Sequence, residues 1–330
     1  MRTRHVITGG SGFTGRHLAN FLLRRGDDVV LFDRRPPSFD HTGVFVLGDA
    51  TVAGDLDRIG LRAGDVVYHL AARQFAEAVP RVNRTAWFEA VNVAGTREVL
   101  AAMARGGANR LVFFSTDMTY GVPQSTPVAP SHPQRPLGPY GTSKMRAEAL
   151  IRAARPEGIA ATIFRPRLIT GPGRLGILER LFRLIRAGSP VPLIGRGANR
   201  YQMVSVEDCV TAAARAVDRE CPPGPFNLGS ASPPTTRFLL EAVIKHANSR
   251  SVLIPISAAP LKAILAVLDF AGLTLMYPEQ FGIADLDILL DTSATRSELG
   301  WEPSIDDVAA MTAAYDAFVA NAPNRRAATG

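Results

Sequence analysis

Tyr140 and Lys144 are the two side chains of this sequence whose types and spacing most directly suggest chemistry. Residues four apart on a helix project from the same face, one turn apart. A phenol is a poor base at neutral pH, but a neighbouring ammonium favours the phenolate, and lowering its pKa by about 3 units takes roughly 4 kcal/mol. The pair could therefore move a proton on or off a substrate hydroxyl. The same spacing is also typical of a solvent-exposed helix face without chemical function. The rest of the sequence must therefore distinguish a catalytic pair from an ordinary surface pair.

The first of these elements is a strand, a glycine-rich turn and a helix at the start of the chain. Residues 4–8 form the strand pattern, residues 8–15 read TGGSGFTG, and a helical pattern then continues to Gly26. Glycines let the backbone approach a pyrophosphate, and a helix N-terminus offers unpaired N–H groups to the anion. The alternative is an ordinary glycine turn. The pattern predicts that a dinucleotide is bound by Gly9, Ser11, Gly12, Phe13, Thr14 and Gly15.

Asp33 follows the second predicted strand, residues 28–32, about 20 residues beyond the glycines. An acidic side chain at this position can accept hydrogen bonds from both ribose hydroxyls of an adenosine, and it would repel a 2′-phosphate. The sequence therefore favours NAD. Arg34 and Arg35 could receive that phosphate, so NADP stays possible. Asp49, after the third strand, is placed to meet the adenine amino group, with Ala50 beside it.

Further strands alternate with helices along the next part of the chain. Strand patterns at residues 65–70, 110–114 and 160–164 are separated by helical patterns, which predicts a parallel sheet. Small residues follow the first of these strands, at 71–72, where they would let the backbone approach a cofactor. A polar run at 115–121 begins where the next strand ends, on the side where ligands bind open parallel sheets.

The predicted fold class is therefore α/β: a doubly wound parallel (Rossmann) sheet with a smaller C-terminal α/β lid that binds substrate. We expect residues 1–172 to form the dinucleotide-binding domain, together with a returning segment at about 201–224. Residues 173–200 and 225–330 are expected to form the smaller domain.

Composition restricts the class of partner and the compartment. The net charge is +7, but the arginines are scattered without aromatic interleaving, which favours an anionic small molecule and not nucleic acid. Two cysteines and no signal peptide indicate a reducing, cytoplasmic setting. Residues 252–276 are apolar but interrupted by two prolines, a lysine and an aspartate, so we expect a buried or patch-forming helix in preference to a membrane span. Peripheral attachment to a membrane stays open, and we predict no metal site.

Several ordered motifs resemble the extended short-chain dehydrogenase/reductase family, in particular its NAD-dependent epimerase/dehydratase branch. The resemblance covers nearly the whole chain. The motifs that carry it are at residues 8–15, 69–72 (HLAA), 115–121 (STDMTYG), 139–144 (PYGTSK), 165–166, 171–173, 206–208, 226–229 and 298–303 (ELGWEP).

This resemblance implies a hydride-transfer site. Tyr140 would act as acid and base on the reacting hydroxyl. Lys144 would bind the nicotinamide ribose and lower the tyrosine pKa, and Thr116 would hydrogen-bond the reacting oxygen. It also implies a homodimer through the helices around residues 91–103 and 140–154. Further implied cofactor contacts are Leu70, Ala71, Ala72, Asn92, Ser115 and Pro166.

One departure from the family pattern argues against one of the family's reactions, the dehydration of a nucleotide sugar. Sugar-nucleotide dehydratases of this family carry Thr-Asp-Glu, whereas here Met118 follows Asp117. Methionine cannot act as an acid or base, which argues against dehydration. Asp117 either contacts substrate or caps its loop.

The expected contacts to a sugar diphosphate are also incomplete. Leu168 stands where nucleotide-sugar members usually have an asparagine, and no second lid arginine is found near residues 280–285. Arg200 matches the first lid arginine, and Arg167 and Arg174 could compensate for the missing one. The predicted substrate contacts are Arg73, Thr116, Asp117, Met118, Arg167, Leu168 and Arg200.

Three functional hypotheses follow. The leading one is an NAD-dependent nucleotide-sugar 4-epimerase, which forms a transient 4-keto sugar and returns the hydride to its other face. The alternative is an NAD(P)-dependent dehydrogenase or reductase of an apolar alcohol or ketone, similar to hydroxysteroid dehydrogenases. Leu168, the missing arginine and the apolar 252–276 segment favour this alternative. The third is a non-catalytic dinucleotide sensor, against which the presence of Tyr140, Lys144 and Thr116 argues.

Overall fold

The computed structural model describes residues 3–174 and 176–321, without the side chain of Ile177. The strands of these residues are β1 (Arg4–Thr8), β2 (Asp28–Asp33), β3 (Val44–Leu47), β4 (Val66–His69), β5 (Arg110–Phe114), β6 (Ala160–Pro166), β7 (Leu168–Thr170), β8 (Val191–Ile194), β9 (Met203–Ser205), β10 (Phe226–Leu228) and β11 (Leu253–Ile256).

The helices connect these strands and pack against them. They are α1 (Phe13–Arg24), α2 (Ala53–Asp57), α3 (Arg84–Asn92), α4 (Ala94–Gly106), α5 (Pro139–Ala154), α6 (Ile177–Arg186), α7 (Val206–Asp218), α8 (Thr236–His246), α9 (Ala258–Phe270), α10 (Pro278–Phe281), α11 (Ser293–Leu299) and α12 (Asp307–Ala320).

Seven strands form one parallel sheet in the order β10-β6-β5-β4-β1-β2-β3. The central strands are continuous apolar runs, as expected for strands that helices cover on both faces. The predicted doubly wound parallel sheet is confirmed. Because all seven strands run in one direction, their carboxyl ends lie at one edge, where such sheets bind ligands.

Each face of the large sheet has its own hydrophobic core. On one face, α1 and α7 bury side chains such as Leu18, Leu22 and Val210 against the strands. On the other face, α4 and α5 bury Met103 and Ile151 among others. This packing fixes where α5, which carries Tyr140 and Lys144, lies on the sheet.

The rest of the described chain builds a smaller α/β part. The helices α6, α8 and α12 share a separate core, and short parallel pairs join β8 to β11 and β7 to β9. α7, within the segment expected to return at 201–224, packs on the large sheet. β10, just beyond that segment, also joins the large sheet, beside β6. The division into two domains at the stated boundaries stays a prediction.

The apolar stretch at 252–276 folds as β11, α9 and the loop that follows. Of the residues of α9, Leu265 alone is buried. Among residues 3–174 and 176–321, every helix falls short of the length and apolar character that a membrane crossing needs.

Asp208 joins the start of α7 to the C-terminal part of the chain. Its carboxylate is buried and accepts hydrogen bonds from the N–H and hydroxyl of Ser304 (2.9 and 2.7 Å), the N–H of Ile305 (3.1 Å) and the hydroxyl of Ser205 (2.8 Å). Removing a buried acceptor of this kind leaves several donors unsatisfied, each of which costs free energy.

We expect Asp208→Ala to lower the free energy of unfolding by about 3 kcal/mol, because it strands these buried donors. Urea denaturation measures the change. Glu241→Ala is the matched control, since Glu241 is exposed and its ion pair with Arg237 should contribute less than about 1 kcal/mol. A loss below about 1 kcal/mol for Asp208→Ala would contradict the structural role of this carboxylate.

Candidate active site

The glycine turn between β1 and α1 packs directly on the chain that leaves β4. Gly9 has a φ of +74°, and a Cβ there would lie 2.6 Å from the backbone nitrogen of Ala71. A Cβ on Gly15 would lie 2.4 Å from the carbonyl oxygen of Gly9. Gly12, at the N-cap of α1, has no side-chain capping hydrogen bond, so the first N–H groups of α1 are unsatisfied by a cap. The turn has the features of a pyrophosphate site.

Asp33 is fixed beside this turn. Its carboxylate accepts hydrogen bonds from the N–H of Ser11 (3.1 Å) and of Arg35 (3.2 Å). The neighbouring Arg34 lies 3.7 Å from Glu77 in an exposed ion pair. The carboxylate is thus oriented by two backbone donors at the end of β2, where the sequence predicts a ribose contact.

The other predicted cofactor residues follow the carboxyl ends of the same sheet or lie on the helices that face it. Asp49 is engaged by its own loop, since its carboxylate accepts from the N–H and hydroxyl of Thr51 (2.9 and 2.7 Å). The residues so placed are Gly9, Ser11, Gly12, Phe13, Thr14 and Gly15 after β1, Asp33 in β2, Asp49 and Ala50 after β3, Leu70, Ala71 and Ala72 after β4, Ser115 after β5, Pro166 in β6, Asn92 in α3, and Tyr140 and Lys144 in α5.

Asn92 connects the chain after β4 with α5. Its side-chain oxygen accepts from the N–H of Arg73 (2.8 Å), and its amide hydrogens go to the Arg73 carbonyl (3.1 Å) and the Ser143 hydroxyl (2.9 Å). Both amide donors are therefore used within the protein. The Arg73 guanidinium turns to Trp87, stacking 4.6 Å from its ring centroid and donating to its carbonyl (2.7 Å).

Tyr140 lies in the first turn of α5, against an aromatic wall. Its ring contacts Phe75 and Phe88 at centroid distances of 5.2 and 5.6 Å. Burial raises the pKa of Tyr140, while the charge of Arg174 and a hydrogen bond with Thr116 lower it by less. The sequence assigned the pKa-lowering charge to Lys144, whereas Arg174 exerts it in the structure.

Lys144 is buried one turn further along α5. Its Nζ lies 4.2 Å from the ring centroid of Phe113. Burial lowers the pKa of the Lys144 ammonium to about 7, opposed by the carboxylate of Glu148. A ligand whose oxygen atoms accept hydrogen bonds from the Lys144 ammonium would favour its charged form and raise this pKa again.

A buried charge network lies behind Lys144. Glu148 accepts from Ser115 (2.5 Å) and from two nitrogens of Arg165 (3.0 and 2.7 Å). Burial alone would raise the pKa of the Glu148 carboxyl, but the hydrogen bonds and charge of Arg165 hold it below its ordinary value. The Ser115 hydroxyl, a predicted cofactor contact, is therefore donated to Glu148.

Asp117 and Arg167 form a buried ion pair next to Thr116. The Arg167 Nη1 lies 2.5 Å from the Asp117 carboxylate, and its guanidinium stacks 4.0 Å from the ring centroid of Tyr201. Asp117 is thus paired with an arginine, in addition to starting a 3₁₀ turn that Thr116 caps. The Nε and Nη2 of Arg167 and the Nε of Arg174 are buried and have no hydrogen-bond partner in the part of the chain described.

The Arg200 side chain has other neighbours. Its half-exposed guanidinium lies 4.0 Å from Asp287 and lines a cavity of about 500 Å³ whose other walls include Ser230 and Arg296. Tyr140 does not line this cavity. Leu168 starts β7 and packs against the core of the smaller part, whereas Met118 lines a small pocket beside the start of α5. The structure therefore brings Thr116, Asp117, Met118 and Arg167 together, whereas the Arg200 guanidinium lies beside Asp287 and a cavity that Tyr140 does not line.

Glu279 is a site residue that sequence reasoning missed. Its buried carboxylate accepts the N–H groups of Tyr140 and Gly141, both at 3.0 Å, and so caps the N-terminus of α5. Tyr277, two residues earlier, stacks on Phe75 with ring centroids 4.8 Å apart. No local pattern signals these contacts, because the partners are 138 or more residues apart in the chain.

Within the described ranges, no group of three or more His, Cys, Asp or Glu side chains could hold a metal ion.

Comparison with known proteins identifies one matching family and several related proteins. A family model described as the NAD dependent epimerase/dehydratase family matches residues 5–229. The uncharacterised protein y4nG of Sinorhizobium fredii is 32% identical over 96% of this chain and 78% of its own length. The UDP-glucose 4-epimerase of Lactobacillus helveticus is 27% identical over 92% and 94%. The 2-alkyl-3-oxoalkanoate reductase of Stenotrophomonas maltophilia is 30% identical over 66% of each chain.

Solved structures match over almost their full length. The UDP-glucose 4-epimerase of Thermotoga maritima with UDP-glucose has a TM-score of 0.80, with 22% identity over 96% of this chain and 99% of that one. The UDP-glucose 4-epimerase of Thermus thermophilus in complex with NAD has a TM-score of 0.77, with 24% identity over 97% and 100%. At these identities the likeness establishes the fold.

The depressed pKa of Lys144 has a measurable cost in the ligand-free protein. Because the folded state binds this proton less tightly than the unfolded state, the cost is complete below about pH 7 and disappears as the pH approaches 10.5. We expect Lys144→Met to raise the free energy of unfolding below pH 7 by up to about 5 kcal/mol, with the gain shrinking at higher pH.

Denaturation of ligand-free wild type and variant across this pH range measures that difference. Lys245→Met, at an exposed position of α8, serves as the control and should change little at any pH. A gain for Lys144→Met that is the same at every pH would mean that packing, and not titration, is its source.

Proposed function

The chain belongs to the NAD dependent epimerase/dehydratase family, and we propose that it is an NAD-dependent epimerase acting at C4 of a nucleotide sugar. The observation that carries the proposal is the position of Tyr140 beside Thr116 at the carboxyl edge of the sheet, with Lys144 buried one helical turn further along α5. The likeness in fold to UDP-glucose 4-epimerases over nearly the whole chain supports it.

The residues at the sheet edge fit NAD. The uncapped start of α1 and the close turn at Gly9 suit the pyrophosphate, and the Asp33 carboxylate, oriented by two backbone donors, suits the ribose hydroxyls. We assign Lys144 to the nicotinamide ribose. When bound, NAD supplies the hydride acceptor and donor of the reaction. The carboxylate at Asp33 disfavours the 2′-phosphate of NADP.

In this mechanism Tyr140 holds or releases one proton at its phenol oxygen. It takes the proton of the sugar hydroxyl as the 4-keto sugar forms and returns it after the sugar has turned over. Burial keeps the pKa of Tyr140 above its ordinary value even though the charge of Arg174 and the hydrogen bond with Thr116 lower it, so the phenol is protonated in the ligand-free protein and the phenolate would need further positive charge from the bound cofactor. Thr116 also supplies a hydroxyl for the reacting oxygen.

The unpartnered guanidinium atoms are the best candidates for a diphosphate contact. The free nitrogens of Arg167 and Arg174 lie near Thr116 and Tyr140, and leaving buried donors unsatisfied costs free energy. A diphosphate would accept these hydrogen bonds. This assignment compensates for Leu168 and for Arg200, whose half-exposed guanidinium lies beside Asp287. A cytoplasmic homodimer through the helices around residues 91–103 and 140–154 also stays our prediction.

A second candidate is a net reductase or dehydrogenase of an apolar ketone or alcohol. The aromatic group of Phe75, Phe88 and Tyr277 around Tyr140 offers an apolar wall that suits such a substrate. The relative named 2-alkyl-3-oxoalkanoate reductase supports it as well. This candidate would use the same tyrosine but would consume or produce NADH.

NMR of the purified protein with UDP- and dTDP-hexoses tests the proposal. We expect interconversion of C4 isomers without net change in NADH. Tyr140→Phe should reduce turnover by about 10²- to 10⁴-fold while cofactor binding persists, because it removes the acid and base. Tyr315→Phe, at a buried tyrosine of α12, should leave turnover unchanged. Stoichiometric NADH change would favour the second candidate, and full activity of Tyr140→Phe would contradict both.

Asp33→Ala tests the cofactor assignment. We expect its affinity for NADH to fall roughly tenfold, because two ribose hydroxyls lose their acceptor, while discrimination against NADPH weakens. Fluorescence titration with each cofactor measures both effects. Asp40→Ala, at an exposed aspartate before β3, should bind as the wild type does. An unchanged preference in Asp33→Ala would argue that this carboxylate does not contact the ribose.

A further inference from the structure

α9 and the loop after it expose an unusual number of large apolar side chains. Ile264, Val267, Phe270, Leu273 and Leu275 are each more than half exposed, and Phe270 is 88% exposed. We call these five residues the α9 surface. Single exposed apolar residues are ordinary, but a group of large exposed apolar side chains on one helix and the loop after it is typical of a site of interaction with a protein or a membrane.

The charges of α9 are turned away from this surface. Asp269 receives both terminal nitrogens of Arg84, at 2.7 and 2.8 Å. Lys262 donates to the carbonyl of Gly282 (2.9 Å) and pairs with Asp285. These contacts attach α9 to the rest of the protein by one side and leave the apolar side chains on the other.

Two arginines border the α9 surface. Arg81 donates to the carbonyl of Phe270 (2.9 Å), and Arg180 donates to the carbonyl of Leu275 (2.7 Å). Both are exposed, and among the described residues neither forms an ion pair. The apolar loop is thus flanked by guanidinium groups whose charge is uncompensated.

We propose that the α9 surface docks on an anionic lipid bilayer. Aromatic and aliphatic side chains beside arginines match the boundary between acyl chains and phosphate headgroups, where the apolar groups insert and the guanidinium groups meet phosphate. The charge favours lipid over a second copy of this chain. A symmetric pair would bring Arg81 and Arg180 of both copies together, and the nearby Asp269 is already occupied by Arg84.

Docking in this way would place the candidate active site near the bilayer. Arg84 joins Asp269 of α9 to Tyr277, lying 5.4 Å from its ring centroid. Tyr277 stacks on Phe75, which contacts Tyr140. Asp269, next to Phe270 of the α9 surface, is therefore four side-chain contacts away from the tyrosine.

Sedimentation with vesicles tests the proposal without any assay of activity. We expect the wild type to bind vesicles of phosphatidylcholine mixed with phosphatidylglycerol, and to bind less to phosphatidylcholine alone or at high salt. The double variant Phe270→Ser/Leu273→Ser should lower the partition coefficient at least tenfold. Arg81→Gln/Arg180→Gln should lower it roughly tenfold for the anionic vesicles only.

Phe238→Ser is the matched control, because Phe238 is an exposed phenylalanine on α8, away from α9. It should bind vesicles as the wild type does. The proposal is overturned if the wild type does not sediment with anionic vesicles, or if the α9 variants sediment as well as the control. It is also overturned if analytical ultracentrifugation shows a wild-type dimer that Phe270→Ser/Leu273→Ser dissociates, since the surface would then join two copies.

Discussion

The close approach of the Gly9 turn to the chain leaving β4 is the constraint on which the candidate site depends. A side chain at Gly9 would overlap the backbone at Ala71, so the two segments can touch only because glycine is present. This contact sets the position of α1 and of the Ser11 N–H that orients Asp33. Asn92 connects this part of the chain to α5, because its side chain accepts a hydrogen bond from the N–H of Arg73 and donates one to the hydroxyl of Ser143.

Buried charges give the site its chemical character. Lys144, Arg167 and Arg174 lie within the protein, and only part of their charge is met by Glu148 and Asp117. Burying cations whose N–H donors lack acceptors destabilises the ligand-free protein. An anionic ligand that accepts these hydrogen bonds would remove that cost. These buried cations therefore favour the binding of a negatively charged molecule and lower the stability of the ligand-free protein.

The sequence predicted the features that depend on local pattern. Strand, glycine turn and acidic strand end predict a dinucleotide site. Alternation of strands and helices predicts the parallel sheet, and the structure confirms the sheet. It did not predict that Arg174 would act on the Tyr140 pKa or that Arg200 would line a different cavity. These facts depend on how distant loops pack, which residue spacing does not encode.

The capping of α5 by Glu279 joins the middle of the chain to its C-terminal part at the tyrosine. Because this carboxylate comes from the C-terminal part, any hinge motion that carries α10 outwards would break both hydrogen bonds at once. The freed N–H groups would fray the first helical turn, which is the turn that aims the phenol. The aim of the phenol therefore depends on the position of the C-terminal part of the chain as well as on α5 itself.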